Sequence, residues 1–506
     1  MKVNSYKMVS GVFVLGVVFL QLFMAASVFS MDKFFVGARA MGMAGANVAS
    51  ANDNSAQYYN PAVFGFFARK VKESVEFEKA KIAVDNNNLG VRDLGFNVSF
   101  GMGCRLHEDL GKLLDDLDKI DPNLLSSAGV CNESDLQKLV EMTEIFTRLD
   151  KPGNAITVDA SGGAAFGMGH FAVGVYSFSQ ANARVASVDI LDLGITGAVN
   201  INTEINNVTL AGDDGQTLLF TPAQQAQLQA AGLDSTAIQN IDYAARQVGV
   251  SGDYLQETVD IMSTVIGITS GAVSGGSLED NTTSAILQGF GHYEVPVSYG
   301  YALNDNLSVG ANLKMMVGRV YGTEVVVFNN DSGDILNDAD NYYKETTTFG
   351  IDLATLYRIK RFNFGLMVRN INSPKFDGFI SKGQSFDNMT LKPSVTTGVA
   401  FIPYEGFTVE TDLDLTKNET VFPDYNTQNI SIGLEWMMMR FLALRLGMYK
   451  NIAESDIGLV YTAGIGANLW LAHLDISGAY SADQGDYNGH SFPVESRVMA
   501  QFRLAF

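Results

Sequence analysis

Long apolar runs are nearly absent from this 506-residue chain, although 47% of it is hydrophobic and its mean hydropathy is +0.08. A helix needs about twenty consecutive apolar residues to cross a bilayer, which argues against a polytopic helical membrane protein. Cysteine and tryptophan occur twice each and histidine five times. His107, His170, His292, His473 and His490 are scattered, and with two cysteines they form no zinc-ligand spacing. No metal or other cofactor is expected. Basic residues are short as well: 34 Lys and Arg stand against 55 Asp and Glu, for a net charge of −21. A protein that grips nucleic acid needs a basic face, so that class of partner is not expected. Catalytic signatures are missing too. There is no Gly-x-Ser-x-Gly elbow and no marked nucleophile for His292 or His473 to serve, so no enzyme is expected.

The single long apolar run sits at the N-terminus, at 11–20, behind Lys2 and Lys7 and ahead of Ala25, Ala26, Ser27 and Ser30. A basic start, a short apolar stretch and small residues read as a secretory signal over 1–30, cut after Ser27 or after Ser30; an uncleaved anchor is the alternative. Export would carry Cys104 and Cys131 into an oxidising compartment. They are the candidate pair for one disulfide, worth about 3 kcal/mol by loop entropy, with two separate thiols as the alternative.

Glycine (50), phenylalanine (32) and tyrosine (19) are plentiful, and period-two alternation, the mark of a strand with one apolar face, recurs through the chain. At the C-terminus Val498, Ala500, Phe502, Leu504 and Phe506 share one face, with Met499, Gln501 and Arg503 on the other. Val295/Val297/Tyr299/Tyr301, Leu307/Val309/Ala311/Leu313, Phe362/Phe364/Leu366/Val368 and Leu442/Leu444/Leu446 repeat the pattern. Candidate strands also lie at 75–84, 91–102, 156–166 and 171–178. Short connections near 304–306, 360–361, 404–406, 439–440 and 470–471 alternate with long polar ones. Transmembrane barrels sort their loops by end in this way, and closure leaves no open sheet edge in hydrocarbon.

The expected fold is therefore all-β and transmembrane: an antiparallel outer-membrane β-barrel of about 14 strands spanning 75–506, with lipid on one face of each strand. Two helical inserts interrupt it, at 105–150 and 210–275. The first carries Leu110, Leu113, Leu114 and Leu117 on one helix and Leu136, Leu139, Val140 and Phe146 on a second capped by Ser134. In the other, three helices stop at Gly232, Gly249 and Gly267. Counting strands back from the C-terminus puts both inserts outside the cell.

The stretch from Gly37 to Ala62 carries a resemblance. Gly37-Ala-Arg39-Ala-Met-Gly42-Met-Ala-Gly45-Ala, then Asp53-Asn-Ser55-Ala and Asn60-Pro61-Ala62, resemble the N-terminus of the FadL-like outer-membrane proteins, and more closely their TraF-like conjugal-transfer relatives. The C-terminal strand likewise resembles the closing strand of such barrels, where Phe502, Leu504 and Phe506 would be read by the barrel-assembly machinery. The resemblance implies that residues 31–74 fold into the lumen as a hatch, with Gly37, Arg39, Gly42, Gly45, Ser55, Asn60, Pro61 and Ala62 along the path of an apolar small-molecule ligand. It implies residence in the outer membrane of a Gram-negative-type bacterium. Val63-Phe64, where Gly-Leu is usual, and the large inserts depart from the family pattern. Physically, small residues at 42 and 44–46 permit close packing, and the Asn60 amide can satisfy backbone groups of the plug.

The acidic loop 330–340 lacks the spacing of a calcium-binding loop and reads mainly as solvated. Two functions remain: a barrel for uptake of hydrophobic small molecules, or a non-transporting barrel that docks or builds a conjugation, secretion or surface-assembly system.

Overall fold

Fourteen antiparallel strands close on themselves. The computed structural model describes residues 29–31, 33–67, 94–108, 112–113, 130–149, 153–192, 201–210, 218–250, 252–271, 280–326, 342–381, 383–439, 441–469, 471–487 and 490–505. The strands are β1 (Leu94–His107), β2 (Ala155–Met168), β3 (Phe171–Ser187), β4 (Ser284–Ala302), β5 (Leu307–Val326), β6 (Tyr343–Ile359) and β7 (Phe362–Arg369). They continue as β8 (Ser394–Tyr404), β9 (Phe407–Asp414), β10 (Asn429–Met439), β11 (Leu442–Asn451), β12 (Val460–Leu469), β13 (Ala472–Ser481) and β14 (Glu495–Ala505). Each pairs with its neighbours in sequence, and β1 closes the cylinder: Val98 lies between Phe502 of β14 and Ala164 of β2.

Alternation fixes what each face meets. Outward, Leu313 is 60% and Leu446 61% exposed, and Phe100, Met315, Ile476 and Val498 are exposed with them. An apolar surface of this extent is far beyond what a soluble monomer shows and suits hydrocarbon. Exposed aromatic residues rim it at both ends, Phe171, Tyr301, Tyr357, Phe362, Tyr404 and Trp436 at one, and Tyr343, Tyr461 and Tyr480 at the other. That is the girdle pattern of an outer-membrane barrel. No described helix is long and apolar enough to cross a membrane.

Short turns gather at one end. Gly169 adopts φ +57° between β2 and β3, and Gly406 φ +84° between β8 and β9, where tight turns need that conformation. Every long connection lies at the opposite end. Two of them build a single helical cap: α1 (Glu133–Leu149) packs with α2 (Ile201–Asn207), α3 (Pro222–Ala230), α4 (Ser235–Val248) and α5 (Leu255–Thr269) around Leu136, Leu139, Ile205, Leu228, Ile241 and Val265. The inserts expected as two units thus share one core.

Local chemistry sets the helix ends. Thr221 and Gln224 form a reciprocal capping box at α3, and Gly249 ends α4 at φ +82°. Two expectations need correction. The cap of α1 is Asn132, whose Oδ1 accepts the Asp135 amide at 3.1 Å, and not Ser134. α5 does not stop at Gly267 but runs through to Thr269. Burial of Ile266 and Ile268 outweighs the cost of one helical glycine, about 1 kcal/mol.

Outside the described residues lie the strand expected at 75–84, most of the helix expected through Leu110–Leu117, the acidic loop 330–340, Phe506 and the signal segment before residue 29.

Candidate functional site: the lumen and the segment inside it

Residues 33–67 occupy the lumen. Their small side chains allow it: Ala38, Ala40, Ala46, Ala56 and Ala62 are fully or almost fully buried, as are Tyr59 and Phe64. The segment crosses the barrel lengthwise. Phe29–Met31 pairs in parallel with Lys417–Glu419 in a long loop, whereas a Cβ added to Gly65 would lie 2.7 Å from the Ala302 amide at the short-turn end.

Charge holds it in place. Arg39 gives Nη2 to Glu435 Oε1 at 2.9 Å and Nε to both Glu435 oxygens at 3.1 Å, with Nη1 donating to Asn47 Oδ1. Glu435 of β10 also accepts Arg445 Nε at 2.7 Å, and Arg445 Nη1 reaches Asp475 at 2.6 Å. Buried charges persist only when paired, and this chain alternates in sign from Arg39 to Asp475. Lys33 faces Asp414 at 3.7 Å, and Asp53 faces Arg503 at 3.6 Å.

Backbone amides do the rest. The amides of Asn47 and Val48 donate to Asp412 Oδ2 at 2.9 and 3.1 Å, and that of Ala49 donates to Glu410 Oε1 at 2.6 Å. The inward, polar face of β9 meets this segment. Ser55 donates its amide to Asp53 at 2.9 Å, and Gln501 Nε2 donates to the same carboxylate at 3.0 Å. Asn60 Nδ2 donates to the carbonyls of Val48 at 2.8 Å and Thr355 at 3.0 Å, while its Oδ1 accepts the Ala62 amide at 3.0 Å. Pro61 starts a 3-10 turn there, and Ser308 Oγ donates to the Ala62 carbonyl at 2.6 Å.

Glycines make the fit. Gly37 (φ +88°) lies against Gln501 and Gly45 (φ +81°) against Phe35, and Gly42 abuts Arg445 and Gly464. The wall contributes its own. A Cβ on Gly310 would lie 2.3 Å from the Ala62 amide, on Gly365 2.4 Å from the Val48 carbonyl, and on Gly433 2.4 Å from the Met43 carbonyl. These wall positions, with Glu410, Asp412, Glu435 and Arg503, are not identified by sequence reasoning. Their one signal is glycine or charge on the inward parity of a strand.

Between this segment and the wall lies a cavity of about 40 Å³, lined by Phe34, Tyr58, Phe178, His292, Glu294, Lys314, Asp352, Arg369, Asn370, Leu391 and Ser394. Lys314 Nζ bonds Glu294 and Asp352 at 3.1 Å each and Asn370 at 2.9 Å. Arg369 donates to the Tyr58 carbonyl at 2.7 Å and lies 3.3 Å from the centre of the Tyr58 ring.

The remaining candidates lie elsewhere. Cys104 and Cys131 are not joined by a disulfide. Cys104 is fixed in the wall between Val158 and Ser496 on the outward parity of β1, and Cys131 is exposed beside the cap helix α1. Phe502 and Leu504 face outward on β14.

Similar solved structures include the Pseudomonas putida toluene transporter TodX (TM-score 0.40, 10% identity, covering 93% of this chain and 97% of that one). The Ralstonia pickettii toluene transporter TbuX (0.43, 9%, covering 93% and 98%) and a Pseudomonas aeruginosa FadL homologue (0.41, 9%, covering 95% and 100%) are also similar. No curated protein matches the chain. The family described as "F plasmid transfer operon, TraF, protein" matches residues 57–414, most of the barrel and the last third of the lumenal segment, and the chain belongs to that family.

Proposed function

We propose that the barrel admits small hydrophobic molecules through the outer membrane, with residues 33–67 as its hatch. The observation that carries this reading is a lumen filled by a segment held through replaceable polar contacts, Arg39–Glu435 and Asp53–Arg503 among them. A structural filler could be anchored by apolar packing alone. A cavity of about 40 Å³ is far below the roughly 150 Å³ that houses a benzene ring, so passage requires the segment or the wall beside it to yield. The ladder between β3 and β4 is interrupted beside Pro296 of β4, which lacks an N–H: among the described residues it passes from Val173–Val297 to Tyr176–Glu294. Gln57 of the hatch donates to the Pro296 carbonyl there at 3.3 Å.

On this reading the signal segment is removed on export, the assembly machinery reads the closing strand, and the short-turn end faces the periplasm. The test is uptake by vesicles carrying the pure protein. Labelled toluene should enter faster than into protein-free vesicles while arabinose does not. Equal rates for toluene with and without protein would overturn the proposal.

A second reading rests on the cap. Helices from two separate loops share one core at the long-loop end, and residues 188–283 contain Arg246 as their sole Lys or Arg among many acids. A barrel of this form could dock a basic protein of a conjugation or surface-assembly system. Crosslinking in cells that recovers such a protein at fixed stoichiometry, with no toluene uptake, would favour it.

A further inference from the structure

We propose that the lumenal cavity is a binding site for an apolar molecule bearing a neutral hydroxyl group. The inference rests on the uptake reading and names a substrate class for it. Four charged side chains line the cavity, and they cancel: Glu294 and Asp352 against Lys314 and Arg369. The three ammonium hydrogens of Lys314 have three acceptors in Glu294, Asp352 and Asn370. Arg369 is committed to the Tyr58 carbonyl and ring. No surplus positive charge is left for a carboxylate head, and no surplus negative charge for an amine, so either would enter as an uncompensated buried ion.

One polar group is left over. His292 is 7% exposed and lines the cavity, and its Nδ1 is buried without a hydrogen-bond partner among the described residues. Its neighbours are rings, with Phe178 and Phe290 centred 5.3 Å away and Phe376 6.2 Å away. A buried polar atom normally has a partner. A neutral imidazole offers one donor and one acceptor, and a hydroxyl offers the same pair. Phe34 stands 5.0 Å and Tyr58 5.5 Å from Phe178, which gives the apolar body of such a ligand an aromatic wall. The cavity holds a head group, not a ring, so a slender chain suits it.

Isothermal titration of the full-length barrel in lipid nanodiscs tests this with three probes that differ only in the head: octan-1-ol, octanoate and octylammonium. The alcohol should bind tighter than either ion, because neither ion finds a compensating charge in the cavity. His292→Leu should weaken octan-1-ol binding about tenfold, which corresponds to one net hydrogen bond of roughly 1.4 kcal/mol, and His292→Gln, which keeps a donor and an acceptor, should retain it. Tighter binding of octanoate, no binding of the alcohol, or undiminished alcohol binding by His292→Leu would overturn the inference. Toluene uptake by vesicles with no preference for the alcohol would sink this site and leave the uptake reading standing. Loss of both would sink both.

Discussion

Arg39 and Glu435 are 396 positions apart in sequence and share a two-pronged ion pair in the lumen, with Nη2–Oε1 at 2.9 Å and Nε–Oε2 at 3.1 Å. Each comes from a different part of the fold, the lumenal segment and the wall, so the pair measures whether that segment is seated. Truncating one partner of a buried pair costs about 3–5 kcal/mol. Arg39→Ala should unseat the hatch without unfolding the barrel, because Glu435 keeps Arg445. The check is proteolysis: residues 33–67 should become cleavable while the barrel core resists. Adding Glu435→Gln to Arg39→Ala should restore part of the protection, since no carboxylate is then left half-paired.

Gly310 and Gly289 give a paired test of the close approach. A Cβ at 310 would lie 2.3 Å from the Ala62 amide, whereas at 289 the nearest atom is 3.5 Å away. Gly310→Ala should displace the Asn60-Pro61-Ala62 turn and raise ion leak in bilayers. Gly289→Ala should behave as wild type. Equal leak from both would argue against seating of the hatch on wall glycines.

Much of this was legible in the sequence because a barrel writes itself in one-sided strands and end-sorted loops. Phe362/Phe364/Leu366 and Leu442/Leu444/Leu446 named the outward face of β7 and β11, and Asn60 before Pro61 pointed to an amide serving backbone groups. What the inward face meets was not legible. Asp412 and Glu410 look alike whether they face water or the Asn47–Ala49 amides, because parity specifies a side and not a neighbour. Nor could amphipathic helices at 133–149 and 235–248 reveal that they share a core, since an apolar stripe does not name its partner.

Acid should loosen the long-loop end. Asp456 bonds His107 Nδ1 at 3.1 Å and accepts the Tyr425 hydroxyl at 3.0 Å. Burial pushes its carboxyl upward, but the hydrogen bonds from His107 and Tyr425 hold it below the usual carboxylate range. A depressed folded pKa contributes stability above the unfolded value, about 4, and loses it as pH falls through the folded value. Proteolysis of the loops at 415–428 and 452–459 should therefore rise below about pH 4, and Asp456→Asn should show that susceptibility at neutral pH. A flat pH profile in the wild type would rule the contact out as an anchor.

Sidedness can be read from one thiol. Cys131 is exposed in the cap, while Cys104 lies on the outward parity of β1. A charged, impermeant maleimide added to intact cells should label the wild type and not Cys131→Ser. Labelling only after the outer membrane is permeabilised would place the cap in the periplasm and reverse the proposed orientation.

Residues 37–62 should close an otherwise open barrel. Single-channel recording in planar bilayers checks this by comparing the full-length protein with a form lacking 37–62 whose barrel is verified by strand content. The full-length protein should show little or no steady ion current, and the deletion should open a persistent conductance of porin size. A folded deletion barrel that conducts no better than the full-length protein would show that residues 37–62 do not close the lumen.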